Sequence, residues 1–196
     1  MRHVTAPTPH DREDALVSRA ARGDQTALDD LFGRYRDPAY RVAYRLLGNA
    51  EDALDAVQDG FIKALTHLSG FQGRSTFKTW LLRVVSNAAL DLGRQRGRRE
   101  TLSLDASAGR DGVASQLLTA DETGRGLERA DLRGALNEAL ATLSEAQRQT
   151  FVLHADAGLS YREVAEAMRT SIGTVMSRLY YARQKLRAYL SERALL

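Results

Sequence analysis

The sequence contains no cysteine, only three prolines and a single tryptophan. Without cysteine there can be no disulfide and no thiolate metal site, which fits a reducing compartment. Pro7 and Pro9 break the polar start of the chain, which has neither the apolar core of a signal peptide nor the pattern of a targeting helix. No apolar run approaches the roughly 20 residues that a membrane-crossing helix requires. These absences predict a soluble cytoplasmic protein with no direct membrane insertion. Lysine is almost missing as well, occurring only at Lys63, Lys78 and Lys185. The formal charge is nevertheless +3 and the sequence pI about 9.4, because arginine supplies the rest. Arginine makes forked contacts to phosphates and guanine edges, although a GC-rich genome also encodes it by default.

What is present is helical periodicity and little else. A helix is expected over residues 13–22, stopped by Gly23, with Asp24 capping a second that runs to about Arg36. Asp37-Pro38 has the form of an N-cap followed by proline in the first turn, which predicts a new helix ending at Gly48. Asn49 caps a longer helix to about Leu68. After the loop 69–75, another carries Phe77 to about Leu92. Residues 101–129 change character: Gly109, Gly112, Gly124 and Gly126 punctuate a Ser, Ala, Asp and Thr mixture of linker type. Helices resume near Ala130. The expected fold is therefore all-α, with a tail at 1–12, a helical domain at 13–100, a flexible linker at 101–129 and a second helical domain at 130–196.

In the second domain, Ser144 with Gln147 and Ser160 with Glu163 form two capping boxes. The helix opened by Ser160 is short and ends near Met168; after a turn, Ser171 caps a further helix to about Leu190. This is the spacing of a DNA-reading helix-turn-helix. Ile172, Val175, Leu179, Ala182 and Leu186 form the expected apolar stripe of the last helix. Ser171, Thr174, Ser177, Arg178, Tyr181 and Lys185 offer hydroxyls, cations and an aromatic suited to groove contacts. A merely solvated outer face has the same periodicity.

The first domain carries two chemically distinct faces. Val57, Phe61, Ala64, Leu65 and Leu68 are the expected buried side of one helix, and Asp52, Asp55, Gln58 and Asp59 project elsewhere. That acidic row can be a docking surface for a basic partner or a solvated face complementing the helix dipole. The next helix buries Leu81, Val84, Val85, Ala88, Ala89 and Leu92. Arg83, Asn87 and Asp91 share its opposite side, and it continues into Arg94, Arg96, Arg98 and Arg99. Phe71, Gln72, Arg74, Phe77, Lys78 and Trp80 precede it. Aromatics interleaved with cations suit single-stranded nucleic acid, although Phe77 and Trp80 taken singly read as core residues. No phosphate-cradling glycine loop is present, and the four histidines have no ligand spacing. No catalytic residue, metal, cofactor or small-molecule substrate is expected.

The stretch 48–61, the stretch Phe71 to Leu81 followed by Asn87 and Asp91, and the stretches Leu159 to Ala165 and Gly173 to Leu179 together resemble the extracytoplasmic-function (ECF) sigma factors of bacterial RNA polymerase. The resemblance covers nearly the whole chain. It implies a non-enzymatic promoter-specificity subunit whose partners are core RNA polymerase and promoter DNA, both duplex and the unpaired non-template strand. It implies that Asp52, Asp55, Gln58 and Asp59 dock on polymerase. Phe71, Gln72, Arg74, Lys78, Arg83 and Asn87 would serve the downstream element and melting, with Arg94, Arg96, Arg98 and Arg99 along the backbone. Ser177, Arg178 and Arg183 match positions facing the upstream element. An anti-sigma protein is a further implied partner.

Some positions depart from the family pattern. Leu54 stands where an acidic residue is common, Gly60 where an apolar one is, and Arg169 where glycine is frequent. Met176 and Tyr181 replace residues that are often basic. Gly60 is expected to weaken its helix by about 1 kcal/mol relative to alanine.

Overall fold

The computed structural model describes residues 9–104 and 134–193, with side chains over 12–99 and 134–193. Of the tail expected at 1–12, residues 1–8 lie outside the described residues and 9–12 are helical; of the linker expected at 101–129, residues 105–129 lie outside them. Among those described there are helices and turns but no strand.

Helix α1 (Pro9–Ala21) begins earlier than expected, with proline in its first turn, where a missing N–H costs nothing. Gly23, at φ +89, turns the chain, and the Asp24 carboxylate caps α2 by accepting from Ala27 N at 3.1 Å. Helix α2 (Gln25–Leu47) is continuous, which overturns the expected break at Asp37-Pro38. Pro38 removes one backbone hydrogen bond, at a cost of about 3 kcal/mol. Leu31 and Tyr35 before it and Ala39, Val42 and Leu46 after it are all buried on one stripe. Burying that stripe, at roughly 1.5–3 kcal/mol for each large side chain, outweighs the penalty.

Gly48, at φ +72, ends α2 with its N–H on Tyr44 O, and Asn49 Oδ1 caps α3 (Ala50–His67) through Glu51 N and Asp52 N. A 3-10 turn, Leu68–Gly70, leads into the loop before α4 (Phe77–Leu104). Helix α4 runs beyond the expected end at Leu92, so the N-terminal boundary of the expected linker is helical as far as Leu104. Helices α2, α3 and α4 pack round Leu31, Leu81, Leu82 and Val85, each fully buried. Gly60 lets α3 and α4 approach closely: a Cβ there would lie 2.9 Å from Val85 Cγ2 and 3.0 Å from Val85 Cα. The expected weakening by Gly60 is therefore incomplete, because the glycine is a packing requirement. Leu65, expected inside, is 50% exposed, since its position on α3 turns away from α4.

The second unit holds a helix over residues 134–141 (α5), α6 (Glu145–Ala155), α7 (Tyr161–Ala167) and α8 (Ile172–Glu192). Both capping boxes form, Ser144 with Gln147 and Ser160 with Glu163. Ser171 caps α8 through Thr174 N at 3.1 Å. Arg169 takes the left-handed conformation at φ +50 in the turn between α7 and α8, where glycine would be unstrained. Val164, Val175 and Leu179 lie in the core between α7 and α8, while Ile172, expected in the stripe, is 47% exposed at the first turn.

The two units lie against each other. Val152, Leu153, Leu159, Val164 and Ala167 join the same buried cluster as Leu81 and Val85.

Candidate nucleic-acid interface

Three surfaces emerge. On α3, Asp55, Gln58 and Asp59 are exposed, as expected, but Asp52 is half-buried and its carboxylate accepts from Arg96. Asp59 pairs with Lys63 at 2.6 Å. Sequence reasoning missed the apolar part of this surface. Leu54, Ile62 and Leu65, between 50% and 61% exposed, flank Gln58 at four- and three-residue steps along the helix. The signal was available in that spacing. Such a stripe edged by carboxylates is suited to an amphipathic basic partner.

The second surface lies on α4. Arg83, Asn87, Asp91, Arg94 and Arg98 recur at four- and three-residue steps and so share one face. Asn87, Arg94, Arg98 and Arg99 are exposed; Lys78 and Arg83 are half-buried. Arg94 binds Asp91 and Glu145, each at 2.5 Å. Arg96 does not belong to this face, because it turns toward α3 and Asp52. Gln72 and Arg74 are exposed on the loop before α4, and Gly73 holds φ +65 between them. Phe71 is half-buried, its ring 5.3 Å from Trp80 and 6.0 Å from Phe77. Phe77 is a core residue at 2% exposure, and Trp80 is half-buried behind the loop. The aromatics therefore brace the cationic surface, rather than all projecting from it.

Arg83 lies in a cleft with Arg169 and has no acidic partner within ion-pair distance among the described residues. Burial, reinforced by the neighbouring Arg169 guanidinium, lowers its pKa below the ordinary arginine value. Such a group has an unmet demand for an anion.

The third surface is α8. Val175, Leu179, Ala182 and Leu186 are buried, which fixes the opposite side as the outer face. Ser171, Ser177, Tyr181, Arg183 and Lys185 are exposed, whereas Thr174 and Arg178 are half-buried on its shoulder. Ser171 and Thr174 also hydrogen bond to each other at 2.9 Å in the cap. Tyr180, missed by the sequence reading, is 56% exposed, and Gln184 donates to its hydroxyl at 2.7 Å. Both stand opposite the buried stripe, a position readable from the period. Met176 is 55% exposed alongside them.

No group of three or more histidine, aspartate or glutamate side chains is arranged to hold a metal among the described residues. His154 is a structural residue, its Nδ1 2.8 Å from Leu159 O and its ring against Tyr161. Among the described residues no helix is long and apolar enough to cross a membrane.

A cationic helix face beside a separate helix-turn-helix is the pattern of a nucleic-acid-binding protein. The Sigma-70 region 2 family matches residues 31–99, and the Sigma-70 region 4 family matches residues 133–186. The chain is 35% identical to the ECF RNA polymerase sigma factor SigE of Mycolicibacterium smegmatis, over 94% of this chain and 70% of that one. It is 30% identical to the ECF sigma factor SigW of Bacillus subtilis, over 90% and 95% of the two chains. Among solved structures, CnrH in complex with the cytosolic domain of CnrY is similar, with TM-score 0.69 and 26% identity over 92% of this chain and 97% of that one. So is the sigma factor RpoE of Bartonella quintana in complex with the anti-sigma factor NepR, with TM-score 0.63 and 28% identity over 83% and 98%. The protein belongs to the ECF family of RNA polymerase sigma factors: it binds core polymerase, recognises promoter DNA and serves transcription initiation.

Proposed function

We propose a division of that activity among named residues, carried by one observation: Arg83, Asn87, Arg94 and Arg98 share a single face of α4, remote in sequence from the helix-turn-helix. Residues 13–100 form the polymerase-binding and melting domain, and residues 130–196 the upstream-element domain. The outer face of α3, with Asp55, Gln58, Asp59 and the neighbouring Asp52, docks on polymerase. Asn87 offers an amide that can both donate to and accept from a base edge, and it holds a non-template base freed from the stack. Gln72 and Arg74 shape the approach, Phe71 braces that loop, and Lys78, Arg83, Arg94, Arg98 and Arg99 neutralise backbone phosphates. Arg96 contributes through Asp52, linking the melting helix to the docking helix.

On α8, Ser177 and Tyr181 meet duplex DNA from the outer face, and Arg183 reaches it from beside the buried stripe. Ser171, Thr174, Arg178 and Lys185 meet it from the shoulders. The protein acts by binding and catalyses no reaction. It works in the cytoplasm at the nucleoid, and an anti-sigma protein restrains it, as NepR is bound to the similar RpoE.

The experiment is Asn87→Ala assayed for promoter opening by permanganate reactivity and, separately, for core polymerase affinity. Opening weakens by about 1–3 kcal/mol, the worth of a paired base contact, with core affinity unchanged. Equal loss in both assays would contradict the assignment.

A further inference from the structure

The turn between α7 and α8 keeps an arginine where glycine would relax the backbone. Arg169 sits at φ +50, a conformation that disfavours any residue with a Cβ. Strain of this kind clusters at ligand sites, where binding offsets it. The Arg169 guanidinium has no ion pair among the described residues, and it faces Arg83, which has none either, across a cleft.

Two adjoining cavities, of about 380 and 500 Å³, share Arg83, Ala167 and Arg169 in their walls. Both volumes fall within the roughly 300–1,000 Å³ usual for small-molecule sites. Arg74, on the loop before α4, adds a third cation to the first cavity. The one acidic residue in its wall, Glu166, is paired with Arg162 at 3.3 Å. Three arginines that converge in this way repel one another, and phosphate groups shared among them replace that repulsion with charge-assisted hydrogen bonds. A diphosphate or triphosphate matches three cations better than a lone phosphate does. The second cavity has amides in its wall instead. Gln149 Nε2 donates to Asn87 Oδ1 at 3.1 Å and to Ser86 Oγ at 3.0 Å, which orients both amides. That pairing leaves Asn87 Nδ2 to donate and Gln149 Oε1 to accept, the complementary pair that a nucleobase edge requires.

We infer that this cleft binds a nucleoside diphosphate or triphosphate. Arg74, Arg83 and Arg169 clamp its phosphates, and its base lies in the adjoining cavity against Asn87 and Gln149. The nucleotide and single-stranded DNA then claim the same Arg83 and Asn87, so each displaces the other. That competition rests on the role proposed above for Asn87, whereas the nucleotide site itself does not.

Trp80 is the single tryptophan and lines the cleft, so its fluorescence reports occupancy in the full chain. The chain is titrated with ADP, GDP, CDP, UDP and inorganic pyrophosphate. At least one nucleotide is expected to saturate with a Kd below about 1 mM, and pyrophosphate to bind at least about tenfold more weakly. Arg169→Gly removes the cation while relieving the backbone, so it should weaken the nucleotide at least about tenfold without lowering the unfolding midpoint. Arg83→Gln, on the other side of the cleft, should weaken it similarly. Arg187→Gln removes an exposed cation of α8 outside the cleft and should leave the affinity unchanged.

Dependence on Arg169 separates this cleft from a phosphate or DNA contact made by α4 alone. Promoter opening by the parent and by Asn87→Ala keeps the inference apart from the functional assignment: if opening depends on Asn87 while no nucleotide binds, only the nucleotide site is removed. Saturable binding by a nucleotide, lost in both Arg169→Gly and Arg83→Gln, is the result expected. Absence of saturable binding, equal affinity for pyrophosphate, or nucleotide binding indifferent to Arg169→Gly would overturn the site.

Discussion

Gly60 on α3 lies against Val85 on α4 so closely that a methyl group on its Cα would meet the Val85 backbone at 3.0 Å as well as its side chain at 2.9 Å. Helix propensity alone favours alanine there by about 1 kcal/mol, but a backbone atom cannot move aside as a side-chain tip can. Gly60→Ala is therefore expected to destabilise the protein by about 1–3 kcal/mol. Gly33 provides the contrast: it is exposed within α2 and has nothing within 4 Å of its missing Cβ. Gly33→Ala is expected to stabilise by roughly 0.4–1 kcal/mol. Urea unfolding of both variants checks the pair of opposite signs.

Acid is expected to loosen the start of α7. The Glu163 carboxylate is pushed up by burial, but Ser160 donates to it from its hydroxyl at 2.7 Å and its N–H at 2.9 Å, Thr79 donates from α4, and Lys78 adds its charge. These win, and the pKa falls below the ordinary 4.5. The unfolded chain then takes up the proton more readily than the folded one, so this stabilisation is present above pH 4.5 and is lost as pH falls through the folded value. Glu163→Gln should flatten that part of the stability profile, with a change at neutral pH of about 1 kcal/mol or less. Unfolding midpoints at pH 7 and across the acid range are the measurement. An unchanged acid slope in the variant would assign the loss elsewhere.

Polymerase docking is expected to depend on both chemistries of α3. Asp55→Arg with Asp59→Arg should lower core affinity at least about tenfold through charge reversal. Ile62→Ala should cost about 1–2 kcal/mol of binding, yet little folding stability, since Ile62 is 57% exposed. Titration of labelled core polymerase checks both. Undiminished binding in the double variant would remove α3 as the docking helix.

The recognition helix separates two kinds of contact. Ser177→Ala and Tyr180→Ala should weaken a specific duplex while changing mixed-sequence duplex binding little. Arg183→Ala and Lys185→Ala should weaken both about equally, each reducing the salt dependence of binding by about one unit. Fluorescence anisotropy over a salt series distinguishes them.

The features legible in the sequence were those set by short-range chemistry. Ser144, Ser160 and Ser171 cap their helices as their spacing predicts, because each cap bonds within three residues. The α4 face of Arg83, Asn87 and Arg94 likewise follows from period alone. Pro38 misled because the local penalty is visible while the burial of Tyr35, Ala39 and Val42 against other helices is not. Leu65 and Ile172 misled for a related reason: periodicity gives an apolar stripe its direction but not its width. Arg96 could not be separated from Arg94 without knowing that α3 brings Asp52 beside it. The contact of Gln149 with Asn87 joins residues remote in sequence, and no local pattern announces it.

Promoter-dependent transcription from purified core polymerase and this chain is the most direct test of the whole account. Transcripts should start at discrete sites of the source genome only when the chain is present, and Asn87→Ala should reduce them while leaving holoenzyme assembly intact. A chain that neither binds core polymerase nor changes where transcription begins would contradict it.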